Sequence, residues 1–129
     1  MDKIQIYKGV LVMAVKLKRA YDKAAKNDGK RILVDRLWPR GVSKEDANVY
    51  EWLKEIGPSN ELRQWFDHDP DKFDEFKEKY RKELQDGEQK GSYDKLKSIQ
   101  KENSTITLVY AAKDEENNQA QVLKEMLEE

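Results

Sequence analysis

The sequence predicts a small three-layer α/β domain, with a mainly parallel sheet of three or four strands and five or so helices. Three apolar runs, rich in Val, Leu and Ile, have the length of strands buried on both faces. Between the second and third, hydrophobic spacing switches to the helical period of about 3.6 residues. A long helical connection between two strands suits a right-handed parallel crossover, and a helix after the third run completes a βα unit. A chain of 129 residues holds one such domain and is too short for two comfortable ones.

The elements follow in order. A short run from Ile4 to Tyr7 forms either an edge strand or a loose tail. The first strand spans about Leu11 to Lys18 (LVMAVKLK). After the turn signal Asn27-Asp28-Gly29 comes the second, Arg31 to Trp38 (RILVDRLW). Only about a dozen residues separate these two runs, near the minimum for a parallel crossover, so their direct pairing stays open. Ser43 is a good N-cap, with Asp46 following, and Val49, Trp52, Leu53 and Ile56 mark one face of a helix that Gly57-Pro58 stops. Ser59 caps a short helix carrying Leu62, Trp65 and Phe66. Asp69-Pro70 opens the next, with Asp at the cap and Pro at the first helical position. Its stripe is Phe73, Phe76, Tyr80 and Leu84, and Gly87 ends it. A further helix starts at Ser92 with Tyr93, Leu96 and Ile99 inward. The third strand is Thr105 to Ala112 (TITLVYAA), and the last helix runs from Asp114, as its cap, through Ala120, Leu123, Met126 and Leu127.

Composition narrows the function classes. Charged residues make up 40% and hydrophobic ones 37%, a polar mixture, but three Trp, six Tyr and three Phe argue for a packed core. The 25 basic and 26 acidic residues are interleaved, as in KFDEFKEKYRKELQ. With a pI of about 6.0 and no basic stripe, nucleic acid is disfavoured as a partner. Cysteine is absent, which excludes disulfides, thiolate catalysis and cysteine-based zinc sites. With a single His, no metal site is expected. The apolar stretch Val10 to Val15 is too short to cross a bilayer and lacks the layout of a cleavable signal. The expected location is the cytoplasm, with no membrane partner. No Gly-rich phosphate loop, Ser elbow or His-Glu metal motif occurs, and these patterns specify neither cofactor nor oligomeric state.

In open parallel sheets, ligands bind beyond the carboxyl ends of the strands, where loops converge and helix N-termini offer N–H groups. Past the first strand come Arg19 and Tyr21. The second delivers Asp35 and Arg36, then Trp38-Pro39-Arg40-Gly41. The third leads into Tyr110, then Lys113 and Asp114, with Asn117 and Asn118 in the first turn of the final helix. Arg36 and Arg40, separated by a rigid Trp-Pro step, would present guanidinium forks to a carboxylate or phosphate. Alternatively, Arg36 pairs internally with Asp35 or Asp114. His68, flanked by Asp67 and Asp69, suits acid–base work, or equally a capping role in a helix-to-helix turn. Arg63 is divided between ligand contact and salt bridge. Tyr21, Tyr80 and Tyr110 read as core rings with hydroxyls at the rim, and Trp52 and Trp65 as core. The charge runs Lys72 to Glu83 and Glu115 to Glu129 read as solvated helix faces.

The blocks KRAYD, DGKRILVDRLWPRG, WLKEIGPSNELRQWFDHDP and LVYAAKDEENNQAQVL are long, ordered and rich in Trp. On them the chain resembles the YeaO-like proteins, a branch of the family known as domain of unknown function 488, over about Val15 to Leu127. The resemblance implies an α/β fold for residues 15–127 and supplies no reaction. Residues 1–14 lie outside it as an N-terminal extension, with Met13 a candidate alternative start. Other branches of the wider family carry a Cys-His-Arg triplet early in the last helix. The matching positions here are Asn118, Gln119 and Ala120, so no chemistry at that triplet carries over. Asn118 remains as a hydrogen-bonding group, which favours binding over covalent catalysis.

The leading functional expectation is binding or processing of a small anionic ligand, phosphate-bearing or nucleotide-like. Asp35, His68 and Asp114 are the candidate catalytic groups. Arg19, Tyr21, Arg36, Arg40, Arg63, Tyr110, Lys113 and Asn118 are the candidate ligand contacts. The alternative is a nucleic-acid or protein interaction module in which Arg19, Arg36, Arg40 and Arg63 form one basic patch. A third reading makes the Arg and Asp residues an internal network.

Overall fold

The computed structural model describes the backbone of residues 5–7, 10–12 and 14–129, and the side chains of residues 14–129. Two short strands, β1 (Gln5–Tyr7) and β2 (Val10–Val12), pair antiparallel in a hairpin of their own. The main sheet holds β3 (Ala14–Arg19), β4 (Lys30–Leu33), β5 (Glu51–Trp52) and β6 (Thr105–Tyr110). Its order is β3-β6-β4-β5, and all three pairings are parallel. The expected first strand is therefore divided, its beginning in the hairpin and its remainder in the sheet; Ile4 and Met13 lie outside the described residues.

The two early strands of the sheet do not pair with each other. Both flank the last one: Ala14 to Arg19 lie beside Thr105 to Tyr110, and Lys30 to Leu33 beside Ile106 to Val109. A strand buried between neighbours explains why Ile106, Leu108 and Val109 are fully buried.

Helices α1 (Lys44–Ala47), α2 (Asn60–Phe66), α3 (Phe73–Glu83), α4 (Gly87–Glu102) and α5 (Gln119–Leu127) complete the fold. Ser43 and Ser59 cap as their positions predict, accepting from the Asp46 and Leu62 N–H groups. The expected helix from Ser43 to Ile56, however, stops after one turn. Asn48 closes it in the left-handed conformation, and the chain then extends so that Tyr50 and Leu53 N–H donate to the Arg31 and Leu33 carbonyls. Four apolar positions at helical spacing fit this strand-then-turn path too, and the Val-Tyr-Glu-Trp run completes the open edge of β4. Two other boundaries also move. Gly87 opens α4 behind its cap Asp86, placing that helix start ahead of Ser92, and Asn118 rather than Asp114 caps α5.

One face of the sheet carries the main core. Val15, Ile32, Val34, Ile106 and Leu108 meet Phe66, Phe76, Tyr80, Leu96 and Leu123 from α2 to α5. The opposite face has a thinner cover. Ala20, Leu33 and Val109 pack with Trp38, Val49 and Trp52, while buried Arg31 donates to Ala47 O and to the Asp28 carboxylate. Among the described residues, no helix is long and apolar enough to cross a membrane.

Candidate functional site

Because β4 and β6 run side by side in one direction, the chain leaves both at the same end of the sheet. Segment 35–40 from β4 and segment 111–118 from β6 enclose a pocket of about 680 Å³, closed on its third side by α2 and the turn after it. This is the position the parallel-sheet rule indicates. Asp35, Arg36, Arg40, Arg63, His68, Lys113, Asp114 and Asn118 all line it, so strand-end residues far apart in sequence share one cavity.

Asp35 is the electrostatic centre. Trp52 Nε1 donates to its backbone carbonyl at 2.7 Å, fixing the strand end from the opposite face. Its carboxylate accepts from the Ala111 N–H at 2.8 Å and from the Gln119 side-chain amide. Burial pushes this carboxyl up to about 6; donation by Ala111 and Gln119 and the nearby Arg63 charge oppose the rise without cancelling it.

The arginines divide into engaged and open groups. Arg36 donates from Nε to Pro58 O at 2.8 Å and from Nη2 to Gly57 O at 3.0 Å. It pairs with neither Asp35 nor Asp114; instead it clamps the loop that precedes α2. Gly57 is required there, since an added Cβ would lie 2.7 Å from Arg36 Cγ. Arg63 donates to the Asn60 side chain one turn earlier. Arg40 is exposed, and its guanidinium has no hydrogen-bond or ion-pair partner among the described residues. The same holds for the ammonium of Lys113 on the facing loop.

His68 lies exposed at the pocket rim, 6.4 Å from the Phe66 ring centroid. Both Asp67 and His68 adopt positive φ (47° and 55°), the left-handed region that Asp and His enter more readily than most residues. Asp67 caps α2 through its N–H to Arg63 O, so the turn reading describes this backbone. The Asp114 carboxylate accepts from the Glu116 N–H, the Asn117 N–H and the Asn117 side chain. Those donors, Asn117 first, hold it below the usual carboxylate range with a small contribution from His68, which makes it a weak base. Asn118 is buried; its Oδ1 accepts from the Gln121 N–H at 3.0 Å and its Nδ2 donates to Asp114 O at 2.8 Å. Its amide is occupied in building the loop.

Three candidates stand away from the pocket. Arg19 donates to Ala111 O and Ala112 O, bracing the loop after β6. Tyr21 donates to Arg40 O at 3.2 Å from a neighbouring surface recess. Tyr110 is buried in the main core, where burial raises its phenol and the Asn118 side chain opposes the rise slightly. The sequence reading did not single out Gln119, Pro58, Phe66 or Phe76 as site residues, though all four line the pocket. Recognising Asn118 as the cap of α5 would have placed Gln119 at its mouth; Phe66 and Phe76 follow the same apolar stripes as core residues.

The family model described as DUF488-N3i, inactive DUF488-N3 subclade, matches residues 14–129. The chain is 46% identical over 115 residues to the uncharacterized protein YeaO of Escherichia coli, covering 89% of this chain and 97% of that one. It is 39% identical over 113 residues to an uncharacterized protein of Mycobacterium tuberculosis, covering 88% and 92%. No solved structure matches it.

Proposed function

We propose, from the premise that this chain belongs to the DUF488 family and to its subclade described as inactive, that it binds a small phosphate-bearing anion without covalent chemistry. The observation that carries this reading is the pairing of Arg40 and Lys113. They come from the loops after β4 and β6, line one pocket, and have no partner among the described residues. Arg63 and Arg36 add positive charge, and the apolar wall of Phe66, Phe76 and Pro58 lowers the local dielectric, which strengthens their pull on an anion. No hydroxyl or thiol side chain lines the pocket among the described residues, and Asp114 is tied down by its own loop. Binding is therefore favoured over processing.

The interaction-module alternative needs Arg19, Arg36, Arg40 and Arg63 as one basic patch. It is less favoured because Arg19 and Arg36 donate to backbone carbonyls. The test is isothermal titration with inorganic phosphate and ribose 5-phosphate. Ribose 5-phosphate should bind, and Arg40→Ala with Lys113→Ala should weaken it at least tenfold. Equal affinity of that double variant, or no heat with either probe, would remove the reading.

A further inference from the structure

The Asp35 carboxylate is a group that a phosphate ligand alone does not satisfy. It lies half-buried beside Gln119 and the Ala111 N–H, in a cavity lined also by Arg40, Arg63, Lys113 and apolar rings, with Asp114 and Asn117 on the loop after β6. A carboxylate has about four acceptor sites, and two are taken, so acceptor capacity remains for a ligand. A ligand that fills this pocket strips more water from Asp35. Removing water from an ionised carboxylate is costly unless a hydrogen-bond donor replaces it. A phosphate group lying over Asp35 would add like-charge repulsion as well, so the donor has to come from another part of the ligand.

The rest of the cavity limits what carries that donor. Phe66, stacked on Phe76 at a 4.4 Å centroid distance, and Pro58 give a rigid apolar wall on the α2 side. Such a wall favours a flat ring over a flexible chain, since ring stacking adds affinity with little conformational loss. The unpartnered cations, Arg40 and Lys113, belong to the two strand-end loops. A volume of about 680 Å³ exceeds what phosphate or a pentose phosphate needs and lies in the range for a ligand of nucleotide size.

Resting on the anion-binding reading above, we propose that the ligand is a nucleoside monophosphate whose base bears an N–H donor edge. The base lies along Phe66 and Pro58 with its amino group on Asp35, and the phosphate sits at Arg40 and Lys113. Asp35 then acts as the residue that selects the base, and Gln119 positions its carboxylate.

The test is a titration panel on the full chain at pH 7.5: adenosine, guanosine and cytidine 5′-monophosphates, purine riboside 5′-monophosphate, and ribose 5-phosphate. At least one amino-bearing nucleotide should bind tenfold or more tightly than both purine riboside 5′-monophosphate and ribose 5-phosphate. In Asp35→Asn that preference ratio should collapse towards one. If the amino-bearing nucleotides bind no better than the last two probes, the base-reading proposal is overturned while anion binding stands. If no probe on the panel binds, both fall. The wild-type panel decides even if the variant folds poorly.

Discussion

Gln119, the first residue of α5, donates its side-chain amide to the carboxylate of Asp35 at the end of β4, joining a helix start to a strand end 84 positions earlier in the chain. The pair forms part of the pocket floor, and it holds an ionisable group where burial raises its proton affinity to about 6. A carboxyl with a folded value above its unfolded value of 3.8 retains its proton longer in the native state. Stability attributable to it is therefore complete below about pH 4 and falls as pH rises through about 6. Asp35→Asn keeps the shape and both hydrogen bonds after an amide flip. It is expected to stabilise the fold at pH 7.5 by on the order of 1 kcal/mol, once solvent screening of a half-buried site is allowed for, and so to raise the melting temperature there. The gain should vanish at pH 4. An unchanged or lower melting point at pH 7.5 would show that Asp35 is not a destabilising charge.

A second carboxylate behaves oppositely. Asp28 is buried on the other face of the sheet, where burial alone would raise it, but the Ala25 N–H, Lys18 and Arg31 donate to it and hold it below the ordinary value. Its stabilising contribution is present above its unfolded value of 3.8 and is lost as pH falls further. Arg31 is 2% exposed, and its Nη2 already lacks a partner among the described residues. Asp28→Ala would leave the guanidinium with only Ala47 O, at a cost on the order of 3–5 kcal/mol. Urea unfolding at pH 7 measures it; a loss under about 1 kcal/mol would mean water reaches Arg31 freely.

Much of this architecture was legible because it rests on local chemistry. Ser43, Ser59 and Asp69 cap where their side chains predict, and the strand cores Val15, Ile32 and Leu108 announce themselves by apolar content. The convergence of Asp35, Arg40 and Lys113 followed from parallel strand ends alone. What stayed hidden depends on partners distant in sequence. Trp52 joins β5 because the edge of β4 is open to it, which no window around Trp52 contains. Likewise, Arg36 looks like an anion fork in its own segment, and only the fold brings the Gly57 and Pro58 carbonyls to it. Asp114 and Asn118 both have the chemistry of a cap, and the loop uses both, one for its turn and one for the helix.

Arg36 and Gly57 give a coupling that can be measured. Ala at position 57 would place its Cβ 2.7 Å from Arg36 Cγ, displacing the side chain and both its hydrogen bonds. Each bond from a charged donor contributes roughly 1.5–3 kcal/mol, so Gly57→Ala should destabilise by about 2 kcal/mol or more. With Arg36→Ala already present the clash is gone, and the added cost should be small. A double-mutant cycle reads this as non-additivity of at least about 1 kcal/mol. Additive losses would mean Gly57 is required for the loop backbone and not for Arg36.

Asn118 makes the remaining expectation, because the helix, the loop and the core meet on its amide. It caps α5 through the Gln121 N–H, holds the Asp114 carbonyl, and meets the buried Tyr110 phenol. An N-cap replaced by Ala typically costs about 1 kcal/mol, and this one leaves further buried polar groups without partners, so Asn118→Ala should lose about 2 kcal/mol or more. Asn118→Asp keeps the cap and favours the helix N-terminus electrostatically, but it cannot donate to Asp114 O. It should therefore recover only part of the loss. Because Lys113 and Ala111 ride on the same loop, Asn118→Ala should also speed amide hydrogen exchange at 111–117 while leaving β3 protected. If exchange there stays at the wild-type rate, Asn118 serves the helix alone and the pocket loop is held by Asp114 and Arg19.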